Sequence, residues 1–156
     1  ASFFIVFAIG VTISRIYGGR IFDRKGPYLI AVSGIVILAI GYLLLGITKS
    51  FEVFLLSGIF TGLGSGLLFP AFQAMVNNMV PEKRRGAANS TLFTGLDLGI
   101  GIGMLLCGYM GQKIGYANTY LSFSGLSIVA LLFFIFYTDK HYRMFIEEHK
   151  REKSLP

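Results

Sequence analysis

Apolar runs and short charged turns alternate along this chain. Cutting at the turns leaves five hydrophobic segments, at about 2–17, 28–48, 52–79, 85–112 and 116–138. Tyr28 to Ile47 carries no charge over about 20 residues, the length a helix needs to cross ~30 Å of hydrocarbon. The third and fourth segments are longer than that, which predicts tilt or projection past the lipid. Pro70 inside the third removes a backbone donor and predicts a bend, which neighbouring helices make tolerable in a membrane. The segments are about twice the length of a membrane β-strand and do not alternate with period two, so a barrel is excluded. The pattern predicts an all-α, multi-pass membrane protein with five transmembrane helices over residues 1–138 and a basic tail over 139–156.

Polar and small positions within the segments sort onto faces. In the third, Gly58, Gly62 and Gly66 recur every four residues, with Gln73 and Asn77 on nearly the same face. In the fourth, Gly95, Gly99 and Gly103 repeat the spacing, while Ser90, Thr94, Asp97 and Gly101 form a stripe on the opposite face. Helical residues three and four apart share a face. Small-residue ladders let helix backbones approach closely in lipid, so both ladders are expected to pack against other helices. A polar stripe in a bilayer needs water or partner groups. The second and fifth segments lack such faces and are expected outermost, against lipid. Thr61 and Ser65, and the fifth segment's Ser122, Ser124 and Ser127, are expected to bond their own helices.

Charge then orients the chain. Arg15, Arg20, Arg24 and Lys25 lie at the first turn, Lys83, Arg84 and Arg85 at the third, and five basic residues in the tail; the second and fourth turns carry only Lys49 and Lys113. Twelve basic residues against two place the first turn, the third turn and the C-terminus in the cytoplasm by the positive-inside rule. Segments in the tail, around Tyr142, Phe145 and Ile146, read equally as an inner-leaflet amphipathic helix or a solvated tail. Composition agrees: 54% of the 156 residues are hydrophobic, the mean hydropathy is +0.68, and 20 more are glycine. The net charge of +6 would suggest nucleic acid in a soluble protein, but its distribution points to a membrane and to no nucleic-acid partner. Ala1 already lies in an apolar run with no leader before it, so the expectation is a piece of a longer protein.

Candidate chemistry is sparse. Cys107 is the single cysteine and sits in an apolar segment, so neither a disulfide nor a cysteine-rich metal site forms within the chain. His141 and His149 are both in the tail, no catalytic grouping is visible, and Gly62-x-Gly64-x-Gly66 lacks the strand and lysine of a nucleotide loop. No enzyme activity, metal or cofactor is expected. Asp97 is the one acid deep in a segment, and it reads either as a proton-coupling or cation-binding carboxylate or as a packing element. Gln73 and Asn77 either contact substrate or bridge helices. Arg15 lies about one turn from the end of its segment, where snorkelling or pairing near Asp23 competes with a gating role.

Gly19-x-x-x-Asp23-Arg24-x-Gly26 has the spacing of the cytoplasmic loop signature of the major facilitator superfamily. Pro27 and Tyr28 stand where the full signature has two basic residues, so it resembles the weaker copy between the eighth and ninth helices. Asp23 just before a helix start also suits a simple cap. Gly62-Leu63-Gly64-Ser65-Gly66, Pro70-Ala71 and Val80-Pro81-Glu82-Lys83-Arg84-Arg85-Gly86-Ala87-Ala88 resemble the family's tenth helix and the loop after it. Asp97-Leu98-Gly99-Ile100-Gly101-Ile102-Gly103 resembles its eleventh. The resemblance covers essentially the whole chain, as helices eight to twelve. It implies a major facilitator-type bundle of two six-helix halves around a central cavity, working by alternating access. The function so implied is secondary active transport of a small molecule across the cell membrane, as efflux driven by a proton or sodium gradient. The partners implied are that substrate, the bilayer and the missing N-terminal half. A non-transporting scaffold or receptor-like protein that retains the fold is the alternative.

Overall fold

The computed structural model describes residues 2–138, without the side chains of residues 19–25 and 138. Five helices make up the described residues. The helical run Ser2–Ile47 contains one non-helical residue, Gly26, at φ 77° and ψ 167°. A positive φ suits glycine, and Pro27 supplies the fixed φ of a helix start, so the run divides into two helices there. The first, α1 (residues 2–25), has a short apolar part, Ser2–Gly18; the second, α2 (Gly26–Ile47), is long and apolar enough to cross a membrane. So are the next three: α3 (Phe51–Met79), α4 (Arg85–Ile114) and α5 (Tyr116–Phe133) with its π-helical extension Phe134–Thr138. Ser50 caps α3, its hydroxyl accepting from the Val53 amide at 3.4 Å. A 3₁₀ turn, Glu82–Arg84, leads into α4, and Gly115 at φ 82° turns the chain into α5.

The glycine ladder of α3 closes α1 onto it. A Cβ built at Gly58 would lie 3.2 Å from the Phe3 ring, one at Gly62 would overlap the Phe7 carbonyl oxygen, and one at Gly66 the Ser14 hydroxyl. Numbers rise together on both helices, so α1 and α3 run parallel. α2 crosses the other flank of α3 in the opposite sense. There a Cβ at Gly41 would meet Thr61 Cγ2 at 2.6 Å, and one at Gly64 the Leu38 amide nitrogen at 2.7 Å. Close packing of this kind, not apolar burial, is what holds helices together in lipid.

α2 leaves one apolar face exposed and packs through the other. The packed face lies on α3 and, along its whole length, on α5. Gly46 lies against Leu121 and Ala117, Tyr42 against Phe123 with ring centroids 6.1 Å apart, and Tyr28 stacks on Phe134 at 5.5 Å. Ser124, deep in that contact, donates across the interface to the Ala39 carbonyl at 2.9 Å instead of back into its own helix. Ser122 and Ser127 do bond their own helix, as do Thr61 and Ser65. The difference comes from small side chains. Ala31, Gly34, Ala39, Gly41 and Gly46 form a close-approach face that the bulk of their neighbours masks in the sequence, while Leu29, Val36, Leu43 and Ile47 are exposed. Ile30, Ile35, Met75 and Phe134 fill the core where α2, α3 and α5 meet.

Candidate functional site

α4 is attached differently. None of its most apolar stretch is buried, and Gly111, packed under Tyr116, is its one buried residue. It meets α3 through an aromatic pair midway along and an amide pair near the third turn. Phe69 and Phe93 stand 5.5 Å apart, and the Asn89 amide donates to the Asn77 side-chain oxygen at 3.0 Å. Asn77 is therefore a helix-bridging residue here. Asn89, its partner 12 residues on, was not visible as a candidate in the sequence, because nothing local marks a pairing across a turn. The Asn89 side-chain oxygen is buried without a hydrogen-bond partner. Gln73 lies one turn before Asn77 on α3 and is half-buried.

Between and beyond those contacts α4 stands off from the body of the chain. A cleft of about 660 Å³ separates it from α3, lined by Phe72, Val76, Leu92 and Gly95. A second, of about 550 Å³, separates it from α2 and α5, lined by Tyr42, Gly99, Gly103, Cys107, Tyr120 and Phe123. The ladder of α4 thus faces the other helices but does not touch them: a Cβ at Gly95, Gly99 or Gly103 would meet nothing within 4 Å. This departs from the backbone contact its spacing predicts. The same spacing gives contact on α3 because Gly10, Val11 and Ser14 of α1 lie directly against it.

Ser90, Thr94, Asp97 and Gly101 are all exposed, on the side of α4 turned away from both clefts. At ~100° per residue the four stay within one narrow stripe, about half a turn from the ladder. Thr94 donates to the Ser90 carbonyl at 2.9 Å, which occupies its hydroxyl proton and leaves its oxygen as an acceptor. What the stripe offers outward is therefore one carboxylate flanked by hydroxyl oxygens, suited to a proton, a cation or a hydrogen-bond donor. Asn77 and Gln73 belong to α3 and are not brought into this stripe. Among the described residues no group of three or more His, Cys, Asp or Glu side chains could hold a metal ion. Of the loop signature, Gly26 provides the positive φ that ends the helical run, while the side chains of Asp23 and Arg24 and the position of Gly19 fall in the stretch whose side chains are not described.

Residues 1–155 match the family model of the Major Facilitator Superfamily. An uncharacterised MFS-type transporter of Pseudomonas aeruginosa is 31% identical over 124 residues, covering 76% of this chain and 31% of that protein. One from Methanocaldococcus jannaschii is 29% identical over 111 residues, covering 71% of this chain and 28% of that protein. Multidrug resistance protein MdtG of Citrobacter koseri is 28% identical over 141 residues, covering 90% of this chain and 34% of that protein. The chain spans about a third of the length of the curated relatives it matches.

Proposed function

Because the chain belongs to the Major Facilitator Superfamily, a family of multi-pass membrane transporters and not of enzymes, we propose that it forms helices eight to twelve of a gradient-driven exporter of small molecules. The observation that carries this is the uncovered α4, with a carboxylate stripe on one face and an untouched glycine ladder on the other. A helix built this way is half of an interface. Its ladder accepts a further helix, and its stripe lines a watered cavity shared with the other half of the transporter. Asp97 takes the coupling proton or cation in that cavity, with Thr94 and Ser90 as neighbouring acceptors. Asn77 holds α3 in register with α4 through its bond from Asn89. The basic first and third turns and the C-terminus face the cytoplasm, because their lysines and arginines outnumber those of the opposite turns. The kinship with a multidrug resistance protein supports export of a lipophilic compound over uptake.

Dye accumulation in cells expressing the intact protein tests this. Energised cells should hold less of at least one lipophilic fluorescent dye than cells with an empty vector, and a protonophore or sodium ionophore should erase the difference. Equal accumulation across a broad dye panel, with the protein correctly inserted, would favour a scaffold that has kept the fold.

A further inference from the structure

A third cleft, of about 400 Å³, lies where α1, α2 and α3 come together near the first turn. It is distinct from the two beside α4. Its floor is Gly18, Leu67 and the buried Ile30; its wall is Ser14, and its rim is Phe69 and Pro70, both exposed. Arg15 stands at the mouth, exposed, and is the only charged residue lining any of the three clefts among the described residues. The Ser14 hydroxyl donates to the Val11 carbonyl at 2.7 Å, so the guanidinium supplies the donors at the mouth. Arg15 lies five residues before Arg20, the first basic residue of the turn, so its long side chain can snorkel toward the lipid phosphates on that side. Arg20, Arg24 and Lys25 follow within ten residues of sequence.

We propose that this cleft binds an anionic phospholipid from the leaflet at the first turn, with one acyl chain on Leu67, Ile30 and Gly18 and the phosphate on Arg15. The physics selects both parts of that ligand. An apolar floor excludes a hydrated ion, and a volume of this size falls within the ~300–1,000 Å³ typical of small-ligand sites. The guanidinium fork matches two phosphate oxygens at once. A headgroup without its own cation leaves the phosphate charge uncompensated, so phosphatidylglycerol gains more from Arg15 than phosphatidylcholine does. Basic pockets between membrane helices commonly hold such headgroups.

Native mass spectrometry of the intact protein, extracted in an uncharged detergent, reads the preference directly. With equimolar, chain-matched phosphatidylglycerol and phosphatidylcholine, phosphatidylglycerol should be retained about tenfold over phosphatidylcholine, the scale of one charge-assisted contact. Arg15→Gln should bring the ratio to near parity, and Arg15→Lys should keep part of it. Leu67→Trp, which fills the floor, should lower retention of both lipids. The wild-type protein alone supplies a further check that no folding defect can confuse. Raising ammonium acetate from about 0.1 to about 1 M shortens the Debye length from ~10 to ~3 Å and should reduce the preference severalfold. An undiminished preference in Arg15→Gln or at high salt would overturn the proposal. So would retention of dodecyl phosphate, a soluble anionic amphiphile, in place of phosphatidylglycerol.

Discussion

Gly62→Leu is expected to leave almost no folded protein to extract from the membrane. Overpacking a core with extra methylenes costs ~1–3 kcal/mol where side chains can shift aside. At Gly62 the obstacle is backbone: the new Cβ would overlap the Phe7 carbonyl oxygen and crowd the Gly10 Cα at 3.2 Å. α1 and α3 would have to separate along the whole ladder, losing the Gly58 and Gly66 contacts with it. The cost should therefore exceed ~3 kcal/mol, enough to unfold a marginally stable protein. Gly86→Ala is the matched control. Nothing lies within 4 Å of a Cβ there, and alanine favours a helix over glycine by up to ~1 kcal/mol. Size-exclusion yield and Tm of the two variants measure the contrast. A Gly62→Leu protein that elutes and melts like the parent would show that α1 does not pack on α3 as described.

The second large effect is on transport. Asp97→Asn in the intact protein should abolish gradient-driven export while leaving substrate binding and Tm nearly unchanged. The exposed stripe is the reason. Asp97 makes none of the close contacts that hold the described helices together, so the amide, nearly isosteric, should cost little in folding. A coupling role needs an oxygen that gains and releases a proton or cation as the cavity alternates, and an amide cannot do that. Asp97→Glu should retain part of the flux because a carboxylate remains. Flux in the Asn variant should fall by more than ~100-fold, equivalent to ~2.7 kcal/mol. Equal losses of Tm and flux in both variants would make Asp97 a packing element, and normal uphill flux in Asp97→Asn would remove it from coupling.

How far the sequence revealed these features depended on where each partner lies. The α3 ladder was readable because small residues every fourth position serve one purpose in a membrane, and α1 offers the matching surface. The identical spacing on α4 meets no partner among the described residues, since a helix face carries no mark of whether its partner is near. α2 looked outermost because Leu, Ile and Val dominate its circumference. Its glycines at 34, 41 and 46 are spaced seven and five apart, too irregular to read as a ladder, yet they set its approach to α3 and α5. Ser124 and Asn89 were illegible for a related reason. Each bonds a group on another helix, whereas a helical serine usually finds its acceptor one turn back. The polar stripe itself was fully legible, because period and residue type alone define it.

Which way that stripe faces is the point on which the proposed function turns, and thiol accessibility measures it. In a Cys107→Ser background of the intact protein, single cysteines at Thr94 and Gly101 on the stripe are compared with single cysteines at Gly95 and Gly103 on the ladder. The reagent is a membrane-impermeant maleimide applied to sealed membranes from either side. The stripe positions are expected to react, with the side of access shifting as the gradient is imposed, and the ladder positions to stay protected. Reaction at 95 and 103 with protection at 94 and 101 would contradict a carboxylate-lined path along α4.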